Sequence, residues 1–246
     1  MPTSFVITGF GPFGGVEANP TTVIVRKLDA YLRARDESSG NGPKLADLVK
    51  EYIILETSAQ AVNETLARIQ SEQSCVASDT NETATAEDPQ KIIFLHLGVG
   101  RALYFRLEHC AYNEATFRIP DQKGHRPTGK AIVESDPVGL CYKTSLNLKS
   151  LQEQMEKDFP KRTLISQDPG RFVCNYVYCK SLEVASALNS KQAKSTLETN
   201  SSGHQSNNIC YESLFLHVPH FTHISEEEQL AYVAALIQNL AAGQGA

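Results

Sequence analysis

Cys174 and His217 stand where a nucleophile and a proton carrier would be looked for. Cys174 lies in "SQDPGRFVCNYVYCKSL", shortly after Asp168-Pro169-Gly170, a turn and helix-start signal. That puts it within about the first two turns of an amphipathic helix, where the N-terminal dipole favours a thiolate. A buried structural cysteine fits the same spacing, so spacing alone leaves both readings open. His217 ends the apolar run "LFLHV" just before Pro219. Open α/β sheets place their sites at such strand ends, although a core histidine fits there too. A third stretch, "LEHCAYNEATFRIPD", gathers Glu108, Arg118 and Asp121. The threefold spacing of His217, His220 and His223 is no metal signature. In an extended chain it sends neighbouring members to opposite faces, and no cysteine or acid lies close by in sequence.

The stretch "FVITGFGPFGGVEANPTT" contains Gly9-Phe10-Gly11-Pro12-Phe13-Gly14, a literal G-x-G-x-x-G. A dinucleotide loop needs free backbone N–H groups at its tip and a helix starting at the third glycine. Here Pro12 removes an N–H, Phe13 fills the tip, and the helix is expected only after Asn19 as N-cap with Pro20 at its first position. Asp29 has the offset of a ribose-binding acid but falls within the helical pattern. Four glycines and two phenylalanines are better suited to setting flat apolar surfaces beside a small, uncharged ligand.

Alternating elements must position these residues. "SFVIT", "LVKEYIIL", "KIIFLHLG", "RTLISQ" and "SLFLHV" read as strands. "TTVIVRKLDAYLRAR", "SAQAVNETLARIQ", "LQEQMEKDF", a segment from about Phe172 and "EEEQLAYVAALIQNLAA" read as helices. The alternation predicts a single α/β domain over residues 1–246, with a largely parallel sheet and helices on both faces. The polar stretches 71–90 and 189–208 hold few large apolar residues and read as surface insertions.

Composition narrows the function classes. The 246 residues are 41% hydrophobic and 21% charged, with a net charge of −5 and no basic block for nucleic acid. No run of 18 apolar residues spans a membrane and no signal peptide is seen at the N-terminus. Six scattered cysteines in a chain of this size read as reduced thiols, which points to the cytoplasm.

Four blocks together resemble the pyroglutamyl-peptidase type I, or pyrrolidone-carboxylate peptidase, family. "TGFGPFGGVEANPT" is similar to its T-G-F-x-P-F-G-G-x-x-x-N-P-[ST] segment. "LEHCAYN" followed by "RIPD" resembles its E-x-x-A-x-N…[RIPD] segment, "SQDPGRFVCNYVYCKSL" its [SN]-x-[DT]-A-G-x-[FY]-x-C-N-x-x-x-Y block, and "LFLHVP" its F-[IV]-H-[VL]-P. Order and approximate spacing hold along the chain outside the two polar stretches. The resemblance implies an α/β/α sandwich with a mixed sheet and a cysteine exopeptidase that removes N-terminal 5-oxoproline from peptides. It implies Cys174 as nucleophile, His217 as base and acid, and Glu108 as the group orienting the imidazole. Phe10 and Phe13 match residues that hold the pyroglutamyl ring, and Arg118 an arginine near the thiol. No metal or organic cofactor is expected, nor a nucleic-acid or membrane partner; oligomeric state is left open. Two positions depart from the family. Val99 stands where an amide side chain is expected, and Pro169 where alanine is usual. A non-catalytic binder of cyclised peptide ends, or a phosphorylase-like transferase on a similar sandwich, would share parts of this pattern. The first needs no reactive thiol and the second needs a phosphate site.

Overall fold

Alternation along the central strands sorts their side chains into two layers. In the computed structural model, which describes residues 2–14, 18–39, 44–76, 90–199 and 209–243, the order is β1 (Thr3–Phe10), α1 (Pro20–Ser39), α2 (Leu45–Leu48), β2 (Val49–Leu55), α3 (Ala59–Val76), β3 (Gln90–Val99), β4 (Phe105–Glu108), β5 (Cys110–Tyr112), β6 (Cys141–Lys143), α4 (Leu148–Asp158), β7 (Thr163–Ser166), α5 (Val173–Thr199), β8 (Ile209–Val218) and α6 (Glu226–Ala242). Phe5, Ile7, Leu95, Leu97, Leu214 and Leu216 pack in one core with α1, α4 and α6. Val6, Phe94 and Phe215, the intervening residues, pack in the other with α3 and α5. The period of two along each strand produces this division.

Six strands form one sheet in the order β2-β1-β3-β8-β4-β7. The pairings β1–β2, β1–β3, β3–β8 and β4–β7 are parallel, and β4–β8 is antiparallel. The sheet is therefore mixed and mostly parallel, with helices on both faces, as expected. The C-terminal ends of β1, β3 and β8 come together at one edge, where the start of the reversed strand β4 also lies. Sequence patterning missed β4, because four residues of "FRLE" carry too little alternation to stand out.

The polar stretches differ in part from the expectation. Ser71–Val76 continue α3, and residues 77–89 lie outside the described residues. Asn189–Thr199 continue α5, and residues 200–208 lie outside the described residues. Composition misled at 189–199 in part because two of these polar residues work by hydrogen bonding. Asn189 bonds both N–H and C=O of Tyr211 at 2.8 Å, and Gln192 accepts from Ile209 N at 2.9 Å. β4 pairs only with Arg106↔His217 to Glu108↔Phe215, so the first residues of β8 have a free edge that Asn189 and Gln192 satisfy.

Between β5 and β6 the chain runs from Asn113 to Leu140 without regular structure, held by one buried amide. Asn113 Nδ2 donates to the carbonyls of Val133, Asp136 and Pro137. Its Oδ1 accepts from Ile132 N and Val133 N at 2.8 and 2.7 Å. This segment carries Arg118. Each buried polar group left unpaired costs roughly 1–3 kcal/mol. Asn113→Ala should therefore lower unfolding free energy by about 3 kcal/mol or more, read as a lower urea midpoint; a change under about 1 kcal/mol would show that the amide does not organise the segment.

Candidate active site

Glycine brings the segments of the site into contact. β3 and β8 pair with Gly98 opposite His217, on the face that packs against α5. Cys174 is the second residue of α5 and its side chain rests against Gly98: a Cβ there would stand 3.2 Å from Cys174 Sγ. The same Cβ would stand 2.5 Å from the Phe215 ring, two residues before His217. Gly100 lies against His217 in the same way, its would-be Cβ 3.3 Å from His217 Cβ. The thiol and the His217 side chain thus each rest against a glycine of one segment, Gly98 and Gly100.

Glu108 supplies the third group. β4 pairs antiparallel with β8, and Glu108 faces Phe215 in that register, two residues from the Arg106–His217 pair. Glu108 is completely buried. Its Oε1 lies 2.7 Å from His217 Nδ1. A carboxylate accepts only, so the hydrogen of this bond sits on Nδ1 and Nε2 is left as the basic nitrogen. Arg106 Nε is 3.6 Å from Glu108 Oε1, and Glu108 Oε2 is buried with no hydrogen-bond partner among the described residues.

Burial dominates the electrostatics. Desolvation pushes the Cys174 thiol up to about 12; the Glu108 charge adds to this and Arg106 opposes it. Desolvation also lowers His217, against the raising effect of its hydrogen bond to Glu108. The helix N-terminus was expected to favour a thiolate at Cys174. In the free enzyme this desolvation opposes the helix N-terminus at Cys174.

A pocket of about 170 Å³ opens beside the thiol, lined by residues that include Phe10, Phe13, Arg118, Phe172, Val99 and Cys174. The Phe13 ring lies 4.9 Å from Phe172, which lies 4.8 Å from Phe117. The glycine-rich loop is held down by the start of α1. Asn19 Oδ1 accepts from Thr21 N at 3.0 Å, as expected of an N-cap, and its Nδ2 donates to Gly11 O. A Cβ at Gly9 would stand 2.8 Å from Thr21 O and from Val25 Cγ2. Gly9 therefore allows α1 to close on β1, and the G-x-G-x-x-G spacing serves packing.

Other sequence candidates fall elsewhere. Asp121 is structural: it accepts from Ala59 N at the start of α3 and from Lys123 N and His125 N. His220 and His223 are exposed, and the described residues hold no cluster of three or more His, Cys, Asp or Glu able to bind a metal. Gly98, Gly100, Arg106 and Phe172 escaped the sequence reading. Arg106 could have been found from R-x-E, which places both side chains on one face of any strand.

Residues 55–196 match the sequence model of the pyroglutamyl peptidase family. The chain belongs to that family. It is thereby a cysteine peptidase that removes N-terminal pyroglutamate. The matched segment contains Glu108, Arg118 and Cys174, while Phe10, Phe13 and His217 lie outside it. Pyrrolidone-carboxylate peptidase of Bacillus velezensis is 28% identical over 181 residues, 72% of this chain and 69% of that protein. The Pyrococcus furiosus enzyme of the same name is 29% identical over 180 residues, 72% of this chain and 71% of its own. Pyrrolidone carboxyl peptidase from Fervidobacterium islandicum shares the fold with a TM-score of 0.64 at 24% identity, covering 97% of this chain and 98% of that one. The Thermococcus litoralis structure superposes with a TM-score of 0.63 at 21% identity, over 97% and 92% of the two chains.

The glycine floor makes a sharp expectation in this pyroglutamyl peptidase. Gly98→Ala must move the Phe215 ring or the thiol, since real Cβ atoms essentially never approach other atoms as closely as 2.5 Å. Overpacking of that kind costs typically 1–3 kcal/mol. The variant should lose about 1–3 kcal/mol of stability and at least ~10-fold in kcat, since small misplacements of reacting groups slow turnover steeply. Wild-type turnover in a folded Gly98→Ala protein would show that the thiol does not depend on this floor.

Proposed function

We propose that Cys174 is the nucleophile of pyroglutamyl hydrolysis, with His217 as its base and acid and Glu108 as the group that orients the imidazole. The buried 2.7 Å contact between His217 Nδ1 and Glu108 Oε1, beside the glycine that seats Cys174, carries this reading. Phe10 and Phe13 are assigned to the pyroglutamyl ring, with Arg118 lining the same pocket. The pyroglutamyl end is a neutral lactam, and packing its ring against flat aromatic surfaces contributes about 1–3 kcal/mol.

The chemistry runs through a thioacyl-enzyme. Cys174 Sγ attacks the carbonyl carbon as its proton passes to His217 Nε2. The N–H of Cys174 belongs to the first turn of α5, where N–H groups have no partner within the helix, and it is assigned as a donor to the oxyanion. The C–N bond breaks as His217 returns the proton to the leaving amine. A water molecule, deprotonated by His217, then attacks the thioester, and pyroglutamate leaves with the thiol restored. Neither step calls for a metal or organic cofactor.

The substrates in this reading are peptides that begin with pyroglutamate. The chain works as one peptidase domain over residues 1–246. Its place is the cytoplasm, where reducing conditions keep a nucleophilic thiol available; the five cysteines with described side chains are all free. No helix among the described residues is long and apolar enough to cross a membrane.

Two measurements test the assignment. Cys174→Ala should lose on the order of 10³-fold or more in kcat on a pyroglutamyl amide, whereas Cys179→Ser keeps most of it. Near-wild-type rates in the Cys174 variant would remove it as nucleophile. His217 acts as base only when neutral, and burial lowers it from its ordinary 6.5. Protonation at low pH therefore removes activity, and kcat/KM should rise with pH through a midpoint below about 6.5. A midpoint above about 7 would contradict the burial argument.

A further inference from the structure

The sheet order sets a direction for the substrate. The ring pocket lies at the end of β1, the thiol rests on Gly98 of β3, and the imidazole stands on the next strand, β8. With the pyroglutamyl ring in its pocket and the leaving amine at His217, the rest of the peptide must run on across β4 toward β7.

That side of the sheet exposes large apolar side chains. Register places Gly98, His217, Arg106 and Leu164 in one row across β3, β8, β4 and β7. Residues paired in this way share a face, so Leu164 lies on the face of the imidazole and, with strands about 4.8 Å apart, roughly 10 Å beyond it. Leu164 is 46% exposed although it sits within a strand. The bend from Arg101 to Tyr104 flanks the same row: Gly100 N donates to Val218 O at one end and Phe105 N to Arg162 O at the other. It carries Leu103, 51% exposed, and Tyr104, 41% exposed. Single exposed apolar residues are ordinary, but three of the five large ones among the described residues belong to this bend and to β7, which the bond from Phe105 N to Arg162 O ties together. The other two, Val138 and Leu140, lie in the segment before β6.

We propose that Leu103, Tyr104 and Leu164 form the seat for the first two residues after pyroglutamate, and that the enzyme prefers peptides in which those residues are large and apolar. The proposal rests on the catalytic assignment above, which supplies the direction of the chain. An extended peptide advances about 3.3–3.6 Å per residue, so two residues and their side chains bridge the distance from His217 to Leu164.

The test compares pyroglutamyl-Phe-Leu-amide with pyroglutamyl-Ala-Ala-amide, followed by released pyroglutamate. Wild type should cleave the first with kcat/KM at least ~10-fold higher, the scale on which an apolar pocket discriminates. Tyr104→Ser and Leu164→Ser should each reduce that ratio, and together bring it within about threefold, while cleavage of the Ala-Ala peptide stays within about twofold of wild type. Equal rates for the two peptides in wild type would overturn the proposal, as would a preference that survives both substitutions. Equal losses on both peptides would also overturn it, since they mark a structural effect. Release of pyroglutamate from neither peptide by wild type would instead defeat the catalytic assignment, and this proposal with it.

Discussion

A carboxylate with no solvent exposure is unfavourable unless partners replace the water it has lost, and Glu108 is in that position. Its partners are the imidazole N–H of His217 at 2.7 Å and the Arg106 guanidinium at 3.6 Å. The bond fixes the histidine tautomer and its ring orientation. Burial disfavours the charged forms of Cys174 and His217 alike. In the proposed mechanism the fixed carboxylate would also stabilise the imidazolium formed when the thiol gives up its proton, with little reorganisation.

Topology makes the bond available. Glu108 and His217 are far apart in sequence, and they meet because β4 enters the sheet antiparallel against β8. A wholly parallel sheet would bring a different end of that strand to the site. Glycine then completes the approach: Gly98 and Gly100 leave room for thiol and imidazole, as Gly9 leaves room for α1. The small residues at these points act through space, and larger ones would separate groups that must touch.

Much of the fold was legible because the long strands and helices carry strong periodicity. The apolar run ending at His217 and the Asn19-Pro20 helix start were readable from local rules. The short strand β4 was not, because four residues give no period and its place depends on register with β8. Helix continuing past 189 was also illegible, since Asn189 and Gln192 hold it through bonds to the edge of β8. At the site, Cys174 and His217 could be singled out by position, but spacing could not separate catalyst from core. Glu108, Arg118 and the two loop phenylalanines were also visible as candidates, and resemblance across four blocks gave them roles. The helix dipole at Cys174 is visible in sequence, whereas the desolvation that opposes it depends on neighbours brought together by folding.

The central claim is that Glu108 acts through His217 as one unit with it. The most direct measurement is kcat on a pyroglutamyl amide for wild type, Glu108→Gln, His217→Ala and the double variant, each checked for folding. Residues that act as a unit are grossly non-additive. The account predicts a double variant within about threefold of His217→Ala alone, because Glu108 has nothing left to orient. Losses that multiply would contradict it, and would mean that the carboxylate contributes to turnover independently of the imidazole.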